Sequence, residues 1–257
     1  MEDEASPSAP PARKLLILGT SGTMGAGMAA GARLWPQQVQ EGLAERHGPV
    51  DLTRRRFYVH GGKPFDILEE ELAREEWDFI VVQCTSYAAT QKTVAHRVRN
   101  VLGKRAGQWT EAQVLAVDTR IRHKGRVRHA VYRAGHRIAR KTIGTAPLVS
   151  LDTLIPNYLK AIDRIAMVET AAIVVMGTGA ASDSARRNNK DVERIKAKFD
   201  GTISGAAKRK HLGWVESAAI TRESDDPEAM FLDMLHKGQA WHDGVAKRVL
   251  EQFAAQR

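Results

Sequence analysis

The sequence predicts a doubly wound α/β fold of the flavodoxin-like type, in which a mostly parallel five-stranded sheet lies between two layers of helices. Short runs that are apolar throughout recur along the chain, as expected of parallel strands that are covered on both faces. Segments with helical periodicity alternate with these runs. Right-handed crossovers between parallel strands place such helices on both faces, so the pattern predicts a three-layer α/β/α arrangement.

The predicted elements alternate in type along most of the chain. Residues 14–19 are an apolar run that ends in glycine and predict the first strand. Pro36 suits the first turn of a helix that extends to about residue 46, since its missing N–H has no partner there in any case. Further strands are predicted near residues 50–59, 78–83, 171–177 and 214–218, and further helices near residues 67–75, 184–199 and 244–256.

Length and cysteine usage limit the class of protein. The 257 residues suffice for one α/β domain with a sizeable core, and we predict a single domain over residues 14–257. The one cysteine, Cys84, excludes an internal disulfide and a zinc site built on paired thiolates, and we expect it to be a small buried hydrophobe. Residues 1–13 are rich in Pro, Ala and Ser, which predicts a disordered leader; without an export signal, the expected location is the cytoplasm.

The positive charge is concentrated in one segment. The net charge is +9, and residues 119–141 carry nine Lys and Arg residues with no acid. This segment falls within a long connection, about residues 100–165, which we predict to be a basic, helical insertion. Such a helix could be a solvated lid, or it could bind an anionic membrane, a nucleic acid or an anionic substrate.

A glycine-rich turn, Gly-Thr-Ser-Gly-Thr-Met-Gly at residues 19–25, follows the first predicted strand. A serine on such a turn is exposed at the sheet edge beside backbone N–H groups, which suits a nucleophile with an oxyanion donor. The same residues could form a plain strand-to-helix turn or a phosphate-binding Rossmann turn. The turn alone therefore leaves three interpretations open.

Asp233 and His236 form the second motif. On one helical turn, this spacing would put both side chains on the same side, so that the carboxylate accepts from one imidazole nitrogen and the other nitrogen faces a cleft. A surface ion pair is the simpler alternative. The motif gains weight because loops after the first and last strands can converge over the carboxyl edge of a doubly wound sheet.

Taken together, these motifs resemble those of the SGNH (GDSL-type) hydrolases. The resemblance covers residues 14–257 apart from the insertion and is carried by residues 19–23, 61–62, 83–87 and 233–236, in that family's order. It implies that Ser21 is the nucleophile of a catalytic triad completed by Asp233 and His236. It also implies an acyl ester substrate.

The resemblance further implies an oxyanion hole. Its donors would be the Ser21 N–H and the N–H of Gly61 or Gly62. The family's asparagine is absent from the third block, where a hydroxyl of Ser86 or Thr85 could donate instead.

Two more positions depart from the family, and one agrees with it. Thr20 stands where the family usually has aspartate, and Lys237 stands where a proline often follows the histidine. His242 occupies a position where many members also have histidine, and we interpret it as a packing residue rather than a catalytic one.

The predicted function is that of a serine esterase that needs no metal and no organic cofactor. Its partner would be a small-molecule ester; whether water or another alcohol accepts the acyl group stays open, as does the oligomeric state. One alternative is an NADP-binding Rossmann oxidoreductase, favoured by three consecutive arginines, residues 54–56, near the second strand. Another is a non-catalytic protein that binds polyanions through residues 119–141.

Overall fold

The computed structural model describes residues 11–60, 63–103, 105, 142–233 and 236–256. Its strands are β1 (Arg13–Gly19), β2 (Val50–Arg56), β3 (Phe79–Gln83), β4 (Lys92–Thr93), β5 (Ala146–Pro147), β6 (Ala172–Met176) and β7 (Gly213–Val215). Five of them form a parallel sheet in the order β2-β1-β3-β6-β7, while β4 and β5 form a small antiparallel pair. Counted along the chain, the sheet order is the 2-1-3-4-5 of flavodoxin-like folds, which confirms the predicted fold class.

Helices cover both faces of the sheet. They are α1 (Trp35–His47), α2 (Pro64–Arg74), α3 (Tyr87–Thr90), α4 (Val94–Leu102), α5 (Leu151–Ile165), α6 (Asp183–Asn188), α7 (Val192–Arg209), α8 (Ser217–Arg222) and α9 (Gln239–Ala255). Buried residues of α1 and α9 pack on one face, and those of α2, α5 and α7 pack on the other. The fold therefore has the three expected layers.

The first strand shows why its sequence is apolar throughout. Successive side chains of a strand point to opposite faces. Leu15 and Ile17 accordingly belong to the core under α1 and α9, whereas Leu16 and Leu18 belong to the core under α2, α5 and α7. All four are fully buried, as expected of a central parallel strand.

The arginines near the second strand are accommodated because β2 is at the edge of the sheet. Arg55 forms an ion pair with Glu71 of α2, with 2.6 Å between Nε and Oε1. An edge strand leaves one side open to water, so long charged side chains can leave the sheet there. The strand ends at Arg56 instead of continuing to residue 59 as predicted.

Several predicted boundaries near the C-terminus are wrong. The helix expected over residues 184–199 consists of two helices, α6 and α7, and α7 continues to Arg209. The strand expected over residues 214–218 is the shorter β7, which is followed by α8. The last helix begins at Gln239, five residues before the predicted start at Gly244.

The long connection between β3 and β6 ends in a regular crossover helix. Residues 151–165, the last part of the predicted insertion, form α5, whose Leu154, Tyr158 and Ile162 are fully buried in the core. The basic segment, residues 119–141, lies outside the described residues. In the described part of the chain, no helix has both the length and the apolar character needed to cross a membrane.

Candidate active site at the carboxyl edge of the sheet

Ser21 lies in a tight turn directly after β1. Hydrogen bonds within the backbone hold the turn, among them one of 2.9 Å from the Ala26 N–H to the Ser21 carbonyl. Gly19 is required at its start, because an added Cβ would overlap the side chain of Thr23. Within the described residues, neither the N–H nor the hydroxyl of the partly exposed Ser21 has a hydrogen-bond partner. Both groups are therefore free to meet a ligand.

Gln83, the last residue of β3, anchors this turn. Its Oε1 accepts hydrogen bonds from Thr20 N at 3.2 Å, from Thr20 Oγ1 at 3.2 Å and from Thr23 Oγ1 at 2.6 Å. Because the Thr20 N–H can only donate, the orientation of the amide is determined and Nε2 lies on the other side. Nε2 would be 4.0 Å from a Cβ added to Gly22, and within the described chain it has no acceptor. The sequence analysis assigned no role to Gln83; a polar residue ending an apolar strand beside β1 was the available signal.

Asp233 and His236 are hydrogen bonded to each other. The His236 Nδ1 is 2.7 Å from Asp233 Oδ2, and the His236 N–H donates to Asp233 Oδ1 at 2.8 Å. The predicted helical turn is wrong, because the pair lies in a loop closed by an antiparallel bridge between Phe231 and Lys237. The carboxylate nevertheless contacts both the backbone and the ring of the histidine, which determines the orientation of the imidazole.

Ser21 and His236 line the same cavity, whose volume is ≈ 550 Å³. The cavity lies beyond the carboxyl ends of β1, β3 and β6, where ligands bind in open α/β sheets. The serine turn also passes close to the histidine: a Cβ added to Gly27 would be 3.0 Å from both Cβ and Cγ of His236. The two ends of the chain therefore meet at one site.

The predicted oxyanion donors have different surroundings. Gly61 and Gly62 lie outside the described residues. Ser86 is fully buried and is not among the residues that line the cavity; its N–H donates to Thr178 Oγ1 at 3.0 Å, and its hydroxyl has no hydrogen-bond partner among the described residues. Thr85 does line the cavity.

Other titratable side chains line the cavity as well. Burial lowers the pKa of the His60 imidazole. Burial also raises the pKa of the Tyr87 hydroxyl to about 12, so this group stays protonated at neutral pH. Lys196 and Lys237 are also in the wall, and the sequence analysis gave neither a functional role. Among the described residues, no group of three or more His, Cys, Asp or Glu side chains could hold a metal ion.

His242 and Cys84, which were predicted to be structural residues, are both buried. His242 is buried in α9 and its Nδ1 accepts the N–H of Trp35, the first residue of α1, at 3.2 Å. Burial lowers the pKa of His242 to about 4, so its imidazole is neutral and can accept this bond. Cys84 is fully buried, and burial raises the pKa of its thiol well above the usual range.

The geometry does not favour the dinucleotide alternative. In a Rossmann unit the glycine turn opens directly into the first helix, whose N-terminus holds the pyrophosphate. Here α1 begins only at Trp35, and its first N–H is directed at His242. The sheet order also differs from the 3-2-1-4-5-6 of classical dinucleotide-binding folds.

No protein-family model matches the chain, and no curated protein matches its sequence. Solved structures match its fold. A lipase/acylhydrolase from Enterococcus faecalis is similar with a TM-score of 0.60 and 13% sequence identity, over 95% of this chain and 96% of the other. Axe2, an acetylxylan esterase from Geobacillus stearothermophilus, is similar with a TM-score of 0.56 and 12% identity, over 94% of each chain.

Solved catalytic mutants of Axe2 replace a serine near its N-terminus, and an aspartate and a histidine that are three residues apart. At these low identities the likeness establishes the fold alone. This chain accordingly has the three-layer α/β/α fold found in lipase/acylhydrolase and esterase enzymes.

Proposed function

We propose that this protein is a serine esterase of the SGNH type, with Ser21, Asp233 and His236 as its catalytic triad. One observation carries the proposal: the histidine of the 2.7 Å Asp233–His236 pair lines the same cavity as Ser21. Axe2, which shares the fold, has catalytic mutants at the same three residue types, with the same spacing between aspartate and histidine.

The reaction begins at the Ser21 hydroxyl. His236 takes its proton through Nε2 while Oγ forms a bond to the acyl carbon, and the carbonyl electrons move onto the oxygen. Asp233 keeps Nδ1 protonated and stabilises the imidazolium that results. As the tetrahedral intermediate collapses, the imidazolium gives its proton to the leaving alcohol. Water then attacks the acyl-enzyme by the same route and releases the acid.

The oxyanion would be met by preorganised donors. The Ser21 N–H is unpaired among the described residues, and so is Gln83 Nε2, which lies beside the same turn. Thr85 also lines the cavity. Its hydroxyl oxygen accepts the Tyr87 N–H at 3.2 Å, and its hydroxyl hydrogen can be donated to the oxyanion. The N–H of Gly61 or Gly62 completes the proposed hole.

The test compares wild type with Ser21→Ala for labelling by a fluorophosphonate and for hydrolysis of 4-nitrophenyl acetate. Removing the nucleophile should abolish labelling and lower kcat by about 10⁴-fold or more. Asp233→Asn should lower kcat by about 10⁴-fold, because the imidazole would be held in the wrong tautomer.

The matched control is Ser204→Ala. Ser204 lies on α7, outside the cavity wall, and its hydroxyl donates to the Gly201 carbonyl at 3.2 Å. This variant should label and turn over like wild type. Wild-type protein that neither labels nor hydrolyses the ester, or a Ser21→Ala variant that keeps full activity, would end the proposal.

A further inference from the structure

Two lysines lie side by side in the wall of the cavity. Lys196, from α7, is only 7% exposed, and Lys237 follows His236 directly. The Lys196 Nζ donates to the Gly179 carbonyl, and the Lys237 Nζ donates to the Ala180 carbonyl at 3.0 Å. Because these acceptors belong to consecutive residues, the two ammonium groups are neighbours.

The loop after β6 makes room for this pair. A Cβ added to Gly179 would be 3.3 Å from Lys237 Cε, so the glycine allows the lysine stem to pass close to the backbone. The Lys237 Nζ also lies over the Phe231 ring, 3.2 Å from its centroid. The aromatic face and the carbonyl together determine the position of the ammonium group.

Neither lysine forms an ion pair with a carboxylate of the described residues. Asp200 attracts Lys196, but one of its oxygens accepts the Thr178 N–H at 2.9 Å. Each ammonium group has three N–H donors and uses one of them on a carbonyl. The cavity wall therefore holds two adjacent lysine amino groups, one buried and one partly buried, and each has N–H donors that are not used within the described residues.

Such an arrangement is costly in the free protein. Taking a cation out of water is unfavourable unless an opposite charge compensates for it, and two neighbouring cations also repel each other. Burial is the main cause that lowers the pKa of Lys196 to about 8 and that of Lys237 to about 6, with repulsion from Lys196 adding to the effect on Lys237. A bound anion would remove this cost.

We propose that Lys196 and Lys237 form an anion subsite next to the catalytic residues, and that the ester substrate carries a carboxylate or phosphate group which binds there. The assignment of this group to the substrate rests on the proposed esterase function. The anion site itself rests on the burial of the two lysines and their adjacent carbonyl contacts.

The first experiment measures binding without any reaction. Succinate and inorganic phosphate are titrated separately into the Ser21→Ala protein by calorimetry, with and without the further change Lys237→Met. Methionine keeps the length of the apolar stem and removes the charge. At least one anion should bind, and the affinity should fall about tenfold or more in the Lys237→Met protein, which corresponds to about 1.4 kcal/mol.

Lys198→Met is the matched control. Lys198 is on α7, two residues from Lys196, but it is exposed and lies outside the cavity wall. It should leave anion binding unchanged. Lys196→Met provides a second test of the pair, with folding of each variant checked by thermal unfolding. The tighter of the two anions identifies the chemical class; binding of neither, or equal weakening by the control, would overturn the subsite.

The second experiment uses the reaction. Wild type should have a larger kcat/KM for the mono-4-nitrophenyl ester of succinate than for 4-nitrophenyl acetate, and Lys237→Met should lower that ratio about tenfold. The ratio should be unaffected by Lys198→Met. Absence of all turnover would count against the esterase, whereas turnover without a preference, together with no anion binding, would count against the subsite alone.

Discussion

The two walls of the cavity differ in the partners of their polar side chains. In the wall formed by the serine turn and the loop before α9, the carboxylate of Asp233 meets the ring of His236 at 2.7 Å, so the polar partners are already in place. In the wall formed by the loop after β6, by α7 and by the residue that follows His236, Lys196 and Lys237 donate to the neutral carbonyls of Gly179 and Ala180, and the Lys237 Nζ lies over the Phe231 ring.

The difference separates two kinds of function. A catalytic pair must have its orientation determined before substrate arrives, and this requires complementary partners within the protein. A binding group for a charged ligand, in contrast, is left without its counter-charge in the free protein. On the two proposals, the first wall is therefore complete as folded, and the second would become complete when an anion binds.

Apart from replacement of the proposed triad residues themselves, the largest expected effect is on the first wall. Gly27 has φ +85°, and an added Cβ would be 3.0 Å from Cβ and Cγ of His236, so Gly27→Ala should push the imidazole out of position. A misplacement of about 1 Å can cost about a hundredfold, and we expect kcat/KM for 4-nitrophenyl acetate to fall by tenfold to about a hundredfold.

The control for this change is Gly31→Ala. Gly31 has a similar φ of +82° but no atom within 4 Å of an added Cβ. Both variants should lose about 1–2 kcal/mol of stability from the left-handed backbone, and only Gly27→Ala should lose activity. Equal losses of activity would show that backbone strain, and not the contact with His236, is responsible.

The next largest effect is the pH dependence that Lys237, in the second wall, gives to the free energy of unfolding. The pKa of Lys237 is lowered from 10.5 to about 6, mainly by burial, with Glu228 opposing and Arg186 adding to the shift. Between these values the unfolded chain binds a proton that the folded protein does not, so the free energy of unfolding rises with pH, by at most about 1.4 kcal/mol per unit. Below about pH 6 both states are protonated, and the destabilisation is complete.

Urea unfolding at pH 6, 7 and 8 tests this for wild type, Lys237→Met and Lys198→Met. The free energy of unfolding of wild type minus that of Lys237→Met should increase with pH. The corresponding difference between wild type and Lys198→Met should stay constant. A difference that does not vary with pH would mean that Lys237 is not held in an unfavourable environment.

The smallest effect lies outside both walls, at His242. Its pKa is lowered to about 4, so between that value and 6.5 the unfolded chain takes up a proton and stability falls as the pH decreases. His242→Asn should cost about 1 kcal/mol at pH 7 through the lost bond to Trp35, reduce the further loss between pH 7 and 5, and leave kcat unchanged.

Thermal unfolding at pH 7 and pH 5 measures both parts. The matched variant is His211→Asn, since His211 is exposed and has φ 57°, a conformation that asparagine tolerates. It should change stability little at either pH. If His242→Asn loses stability on acidification as strongly as wild type does, the buried imidazole is not the group that titrates.

Local patterns were sufficient to predict the sheet, and they also indicated the three residues of the proposed triad. The continuous apolar run of β1 requires cover on both faces, and this requirement predicts a central parallel strand wherever it occurs. Ser21, Asp233 and His236 were predicted from their motifs and their positions along the chain; in the structure Ser21 and His236 line one cavity, and Asp233 is hydrogen bonded to His236. The loop around the last two was predicted incorrectly as a helical turn, because the spacing of the side chains does not distinguish a helix from a short loop closed by a bridge.

Contacts between segments that are distant in sequence determined the features that the motifs did not predict. The role of Gln83 depends on β3 lying beside β1, and the bond between Trp35 and His242 joins residues that are 207 positions apart. The lysine pair likewise forms only where α7, the loop after β6 and the loop before α9 converge.

The order of apolar runs and glycine turns was thus sufficient for the fold class, since burial on both faces leaves few arrangements open to such a chain. Which polar groups meet at the cavity, and which of its lysines have no ion pair within the described parts of the chain, were decided by the tertiary structure. The physical reason is that hydrogen bonds and charge interactions act over a few ångströms, and only folding brings these side chains within that range.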